Sequence, residues 1–101
     1  MTVARLFVAK AHYGHEDSAR GEAKKLYRLL SDQPGFVEVL EFSPEPSPGL
    51  LIGITVWKTK EDAERAINQR EMISLISHIL TIADETSTEG GLFDIELLRN
   101  A

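Results

Sequence analysis

The chain contains no cysteine, which excludes disulfide bonds, thiol catalysis and thiolate metal sites. Basic residues are also scarce: 11 Lys and Arg stand against 16 Asp and Glu, giving a formal net charge of −5. Because nucleic-acid binding needs a positive surface that displaces counterions from phosphate, we predict no nucleic-acid partner.

Long apolar runs are missing as well. The most apolar stretch, residues 73–83, is interrupted by Ser, His and Thr and is far shorter than the ~20 residues that span a bilayer. The N-terminal residues carry charges and no apolar signal-peptide segment. We therefore expect no membrane partner and a cytoplasmic location.

The remaining composition is that of an ordinary globular domain. Of 101 residues, 43% are hydrophobic and 27% are charged, and this length corresponds to a single domain over residues 1–101.

Hydrophobic patterning predicts the secondary structure. Apolar runs rich in strand-forming residues predict strands over residues 3–11, 36–43, 50–57 and 92–98. Helical periodicity predicts helices over residues 16–30, 60–68 and 71–83, and a polar loop is expected over 85–91. Thr59 followed by Asp62 indicates a capping box at the start of the second helix. This order predicts an α+β, ferredoxin-like fold: a four-stranded antiparallel sheet with its helices on one face.

Both faces of this sheet are predicted to be apolar. In the third strand, Ile52 and Ile54 fall on one face and Leu51 and Trp57 on the other. The helices can cover only one face, and a large exposed apolar face is rare on soluble monomers. We therefore expect a homodimer that forms through the open sheet face.

Two stretches resemble a known family. The turn Pro34-Gly35-Phe36 and the run from Ile54 through Trp57 to Ala63 are similar to the antibiotic-biosynthesis-monooxygenase-like family of the dimeric α+β barrel superfamily. The resemblance implies a dimeric α+β barrel with a pocket between sheet and helices in each subunit. Members of that family include cofactor-independent oxygenases of aromatic polyketides or quinols, haem-degrading oxygenases and many proteins of no known activity.

The haem-degrading branch is not favoured. Aligning the chain with that branch places Phe7, Ala66 and Ile76 where it has an Asn, a Trp and an iron-ligating His. Glycine-rich phosphate loops and dinucleotide fingerprints are also missing from the sequence. We therefore predict no cofactor.

The candidate pocket is assigned to large side chains on the predicted inner faces. These pocket-lining candidates are Phe7, Tyr27, Trp57, Met72 and Ile76. Trp57 could instead anchor the core. The Tyr27 hydroxyl could hydrogen-bond a substrate oxygen, or Tyr27 could bury its ring while its hydroxyl stays in water. The catalytic residues are not identified, because no acid or base stands out.

The histidines offer weaker signals. His12 and His15, followed by Glu16 and Asp17, could bind a metal ion, but a solvated loop is the favoured interpretation and no metal is predicted. His78 lies on the polar side of its helix.

The function predicted from these features is a cofactor-independent monooxygenase that acts on a small aromatic or quinol-like substrate. One alternative is a non-catalytic dimer that binds a small hydrophobic ligand or has a structural role. Another is an isomerase on the same scaffold, because a fold does not determine chemistry.

Overall fold

The fold is taken from a computed structural model, which describes residues 2–42 and 49–85 and the backbone of residues 92–94. In chain order the elements are β1 (Val3–Ala11), α1 (Glu16–Ser31), β2 (Phe36–Phe42), β3 (Leu50–Trp57), α2 (Lys60–Ile67), α3 (Arg70–Ile79), β4 (Ala83–Glu85) and β5 (Leu92–Asp94). In these parts of the chain, no helix is long and apolar enough to cross a membrane.

The strands form one antiparallel sheet in the order β2-β3-β1-β4. The free edge of β1 pairs with both short strands: Ala11 lies opposite Ala83 of β4, and Val3 lies opposite Asp94 of β5. Together β4 and β5 occupy the position of the fourth strand. The predicted ferredoxin-like α+β architecture is therefore confirmed.

The end of α3 differs from the prediction. The helix was expected to continue to residue 83, but it ends at Ile79, and Ala83 begins β4. The Thr81 hydroxyl donates to the His78 carbonyl oxygen at 2.6 Å, which favours termination of the helix over another turn. Glu85, which was expected in a loop, pairs with Ala9 instead. Residues 43–48, 86–91 and 95–98, which carry the rest of the predicted hairpin, loop and last strand, lie outside the described residues.

Local signals elsewhere confirm the predicted boundaries. The Thr59 hydroxyl accepts a hydrogen bond from the Asp62 backbone N–H at 3.1 Å and caps α2. Gly35 has a φ of +84°, and a side chain there would overlap Asp62. The turn before β2 therefore requires glycine.

The core lies between the inner face of the sheet and the three helices. Small residues of α1, Ala19 and Ala23, are fully buried there. Trp57 is also fully buried, and its ring packs edge-to-face on Phe36 with centroids 5.6 Å apart. Its indole N–H donates to the Thr55 hydroxyl at 2.9 Å, so the largest core side chain is held by both packing and a hydrogen bond.

The opposite face of the sheet, called the open face below, is apolar and partly exposed. Register places Leu6 of β1 and Leu40 of β2 on either side of Ile54 in β3. Phe42 lies opposite Ile52 in the same way. Leu40 and Phe42 are 45% and 47% exposed, so this face carries more apolar surface than a soluble sheet usually shows.

Helix α1 approaches the sheet closely above Gly53 of β3. A methyl group on Gly53 would overlap the ring and hydroxyl of Tyr27. Tyr27 is only 7% exposed, so its ring has little room to move away. The absence of a side chain at Gly53 therefore determines where Tyr27 can lie.

We expect Gly53→Ala to lower the free energy of unfolding by about 1–3 kcal/mol, because the new methyl overpacks this contact. Urea denaturation measures the change. Gly21→Ala is the matched control: Gly21 lies in α1 with open space around it, and alanine there should stabilise the protein by about 0.5–1 kcal/mol. Equal stability of Gly53→Ala and the wild type would contradict the close contact.

Candidate functional site

A narrow cavity of about 40 Å³ lies between α1 and the inner face of the sheet. We call it the α1 cavity. Most of its wall is hydrocarbon, with polar groups from β1, α1 and β3. The lining residues are Arg5, Phe7, Leu26, Tyr27, Leu30, Gly53, Thr55, Ile67 and Ile76.

A wider cavity of about 190 Å³ adjoins it on the side of β4. We call it the edge cavity. It is lined by Leu6 and Glu85 and by four residues that also line the α1 cavity, namely Arg5, Phe7, Ile67 and Ile76. These four side chains therefore form the boundary between a narrow and a wide compartment.

Arg5 places a positive charge at this boundary. It lies in the inward-facing row of β1, between Val3 and Phe7. Burial lowers the pKa of the Arg5 guanidinium, and the negative charges of Glu64 and Glu85 oppose that shift. An arginine remains protonated under such conditions, so the boundary carries a partly desolvated cation.

The Tyr27 hydroxyl is the second polar group of the site. It is buried, and it has no hydrogen-bond partner among the described residues. Burial, and to a lesser extent the charge of Glu41, raises the pKa of Tyr27 to about 12. The hydroxyl therefore stays protonated near neutral pH and can donate a hydrogen bond to a ligand in the α1 cavity.

The third polar group is the Thr55 hydroxyl. It accepts the Trp57 indole N–H, which leaves its own proton as a donor. Trp57 itself does not line the α1 cavity, but its indole N–H orients the Thr55 hydroxyl, which does.

The structure separates the predicted pocket residues into two groups. Phe7 and Ile76 line both cavities, and Tyr27 lines the α1 cavity. Trp57 and Met72 are fully buried in the core and are not among the residues that line the two cavities. The core-anchor interpretation of Trp57 is therefore the one that fits. Of the two interpretations of Tyr27, the one with its hydroxyl in water does not fit, because the hydroxyl is buried and Tyr27 lines the α1 cavity.

Three polar residues of the site were not predicted. Arg5 interrupts an otherwise apolar inward row of β1. A charged residue in such a row is visible in the alternation of the sequence, and it could have pointed to the site. Thr55 stands in the inward row of β3 in the same way. Glu85 could not be found, because the residues around it were expected to form a loop.

His12 and His15 follow the C-terminal end of β1. The His12 Nε2 lies 3.0 Å from an Asp84 carboxylate oxygen, and the His12 and His15 rings pack edge-to-face with centroids 6.5 Å apart. His78 is exposed on α3. Within residues 2–42 and 49–85, no three His, Asp or Glu side chains converge in a way that could hold a metal ion.

No sequence-family profile and no curated protein sequence matches the chain. Solved structures do match it. SnoaB, a cofactor-independent oxygenase from Streptomyces nogalater, superposes with a TM-score of 0.83 at 18% identity, over 95% of this chain and 94% of SnoaB. An antibiotic biosynthesis monooxygenase superposes with a TM-score of 0.78 at 13% identity, over 98% of this chain and all of that chain. A candidate antibiotic biosynthesis monooxygenase from Deinococcus radiodurans superposes with a TM-score of 0.81 at 11% identity, over 100% and 98% of the two chains.

The chain has the fold of the antibiotic biosynthesis monooxygenases. This is the fold implied by the sequence resemblance, and the similarity extends along nearly the full length of both chains. At these low identities the similarity concerns the fold, and the chemistry depends on the residues that line the two cavities.

The burial of Tyr27 predicts a specific loss of stability at alkaline pH. Because the pKa of Tyr27 is about 12 in the folded protein and 10.0 ordinarily, the unfolded chain releases this proton first. The contribution of protonated Tyr27 to the free energy of unfolding is therefore complete below pH 10 and is lost as the pH rises through 12. From about pH 8 to about pH 11, the wild type should lose about 1 kcal/mol more unfolding free energy than Tyr27→Phe.

Tyr13→Phe is the matched control, because Tyr13 is 97% exposed. Urea denaturation at both pH values should show the wild-type loss in Tyr13→Phe and a smaller loss in Tyr27→Phe. An equal loss in all three proteins would show that the Tyr27 hydroxyl is solvated.

Proposed function

We propose that this protein is a cofactor-independent monooxygenase that acts on a small aromatic, quinol-like substrate. The observation that carries the proposal is the convergence on apolar cavities of a partly desolvated guanidinium, Arg5, and a buried hydroxyl, Tyr27, which has no hydrogen-bond partner among the described residues. The likeness in fold to SnoaB, a cofactor-independent oxygenase, supports the proposal.

The substrate ring would bind in the edge cavity. Its volume of about 190 Å³ exceeds the ~150 Å³ that is known to accommodate benzene in a protein interior. Phe7 and Ile76 would contact the ring, and Phe7 could pack edge-to-face on it. A ring oxygen would then point to the boundary where Arg5 lies.

The protein's task would be to stabilise the deprotonated substrate. A phenolic or enolic oxygen that loses its proton gains negative charge, and a nearby guanidinium in a partly dry site stabilises that charge. Such an anion is electron-rich enough to donate an electron to O₂ directly. The overall reaction at a ring CH₂ would be its conversion with O₂ to C=O and water, so the substrate supplies four electrons and O₂ accepts four.

Glu85 is the candidate base. It lines the edge cavity at the end of β4, and its carboxylate can accept the proton that the substrate loses. Its charge also acts on Arg5, so the base and the anion-stabilising group belong to one electrostatic unit.

Oxygen consumption with a panel of quinols and anthrone-like phenols tests the proposal. Wild-type protein without added metal or flavin should consume O₂, and product should form in equal amount. Arg5→Gln should lower the rate about 10²-fold by removing the anion-stabilising charge, and Glu85→Gln should lower it at least ~10²-fold.

Asp84→Asn is the matched control, because Asp84 is next to Glu85 but pairs with His12 on the other side of the sheet. Its rate should equal that of the wild type. Binding of these phenols without any O₂ consumption would contradict catalysis and favour the non-catalytic ligand-binding alternative.

We also propose that a second copy of this chain covers the open face. Leu40 and Phe42 are exposed on it beside the partly exposed Ile52 and Ile54. Two such faces can pack on each other by twofold symmetry, which removes both apolar surfaces from water at once.

Sedimentation at micromolar concentration should give twice the mass of one chain. Ile54→Asp should produce monomers or prevent folding, because it would bury an unpaired charge between the sheets. Ile73→Asp is the control: Ile73 is 49% exposed on α3, and this variant should remain dimeric. A wild-type protein that sediments as a monomer would refute the proposed pairing.

A further inference from the structure

The two adjoining cavities differ in what they can hold. The edge cavity is large enough for an aromatic ring, whereas the α1 cavity, at about 40 Å³, is much smaller than a cavity of ~150 Å³ that binds benzene in a protein interior. It still exceeds the ~10–15 Å³ that a single water needs. It therefore has room only for a molecule of two or three atoms.

The lining of the α1 cavity favours an apolar occupant. Five of its lining residues have hydrocarbon side chains, namely Phe7, Leu26, Leu30, Ile67 and Ile76. A buried water requires two to four polar partners. The Thr55 hydroxyl accepts from Trp57 and keeps one proton to donate, so it is one small polar group in a wall that is mostly hydrocarbon.

The Tyr27 hydroxyl is the polar group of this cavity with no hydrogen-bond partner among the described residues. It is buried and faces the cavity. An unpartnered buried hydroxyl costs about 1–3 kcal/mol, so its retention suits a ligand that becomes charged only during the reaction.

We infer that the α1 cavity is a dioxygen site, which holds O₂ beside a substrate bound in the edge cavity. The inference rests on the proposed oxygenase function and adds the position of the second reactant. Arg5, Phe7, Ile67 and Ile76 line both cavities, so the two reactants would meet across this boundary.

The first chemical step balances without any other reactant. The substrate anion transfers one electron to O₂, which leaves a substrate radical and superoxide. The two combine through a new C–O bond to give a peroxide anion. The Tyr27 O–H donates a hydrogen bond to the oxygen that becomes negative, and the Arg5 charge stabilises the same anion.

Methyl relaxation under oxygen pressure detects this binding without any catalysis, because O₂ is paramagnetic. Protein with ¹³C-labelled methyl groups is compared under O₂ and under N₂. Methyl groups of Leu26 and Leu30, which line the α1 cavity, should relax several-fold faster under O₂. Two methyl groups outside the cavity calibrate the effect: Ile73 is exposed to dissolved gas, and Ile79 is fully buried in the core.

Enhancement at Leu26 and Leu30 above that of Ile73 supports the site. An enhancement no larger than that of Ile73, or an ordered water in the cavity in a crystal structure, overturns it. The result does not depend on turnover, so a protein that concentrates O₂ but oxidises no quinol would refute the proposed function and leave the gas site standing.

A cavity-filling variant tests whether catalysis uses the site. Leu30→Phe should abolish the enhancement at Leu26 and raise the KM for O₂ about tenfold while the KM for the quinol stays unchanged. Leu26→Phe serves the same purpose if Leu30→Phe does not fold, and Ile73→Phe is the control that should change neither value. A KM for O₂ that stays constant while the enhancement is lost would overturn the catalytic role of the cavity.

Discussion

The contact between Tyr27 and Gly53 is the constraint on which the rest of the site depends. Because Gly53 has no side chain, the Tyr27 ring of α1 can pack directly on β3. The Tyr27 hydroxyl then faces the α1 cavity instead of water. A larger residue at position 53 would lift the helix from the sheet or displace the ring. The same glycine therefore determines the depth of the α1 cavity and the environment of the Tyr27 hydroxyl.

The site is maintained at some expense of stability. A buried hydroxyl without a partner and a half-desolvated guanidinium are each unfavourable in the folded protein, and a core made only for stability would contain neither. Around them the structure is conventional, with Trp57 anchored by Thr55 and Phe36. This concentration of unfavourable groups at one boundary, between otherwise well-packed layers, supports the proposal that the cavities are a functional site.

Much of the fold follows from the sequence, and the site follows from it only in part. The bounds of β1 and β3 agree with the prediction, because uninterrupted strand-forming residues end at clear breaks. The boundary between α3 and β4 was wrong, because Ile82 and Ala83 continue the helical periodicity while pairing with β1 decides their conformation. Phe7 and Ile76 were identifiable as large inward side chains. The burial of the Tyr27 hydroxyl depends on a glycine in a distant strand, and no local pattern reveals it.

The proposed function requires the pocket to stabilise a deprotonated aromatic substrate. The most direct test is an absorbance titration, under nitrogen, of a chromophoric phenol bound to the protein, because phenol and phenolate absorb at different wavelengths. The Arg5 guanidinium lines the cavity in which the phenol would bind and favours the anion, so the pKa of the bound phenol should lie below that of the free phenol. A bound phenol whose pKa is unchanged or raised would contradict the account.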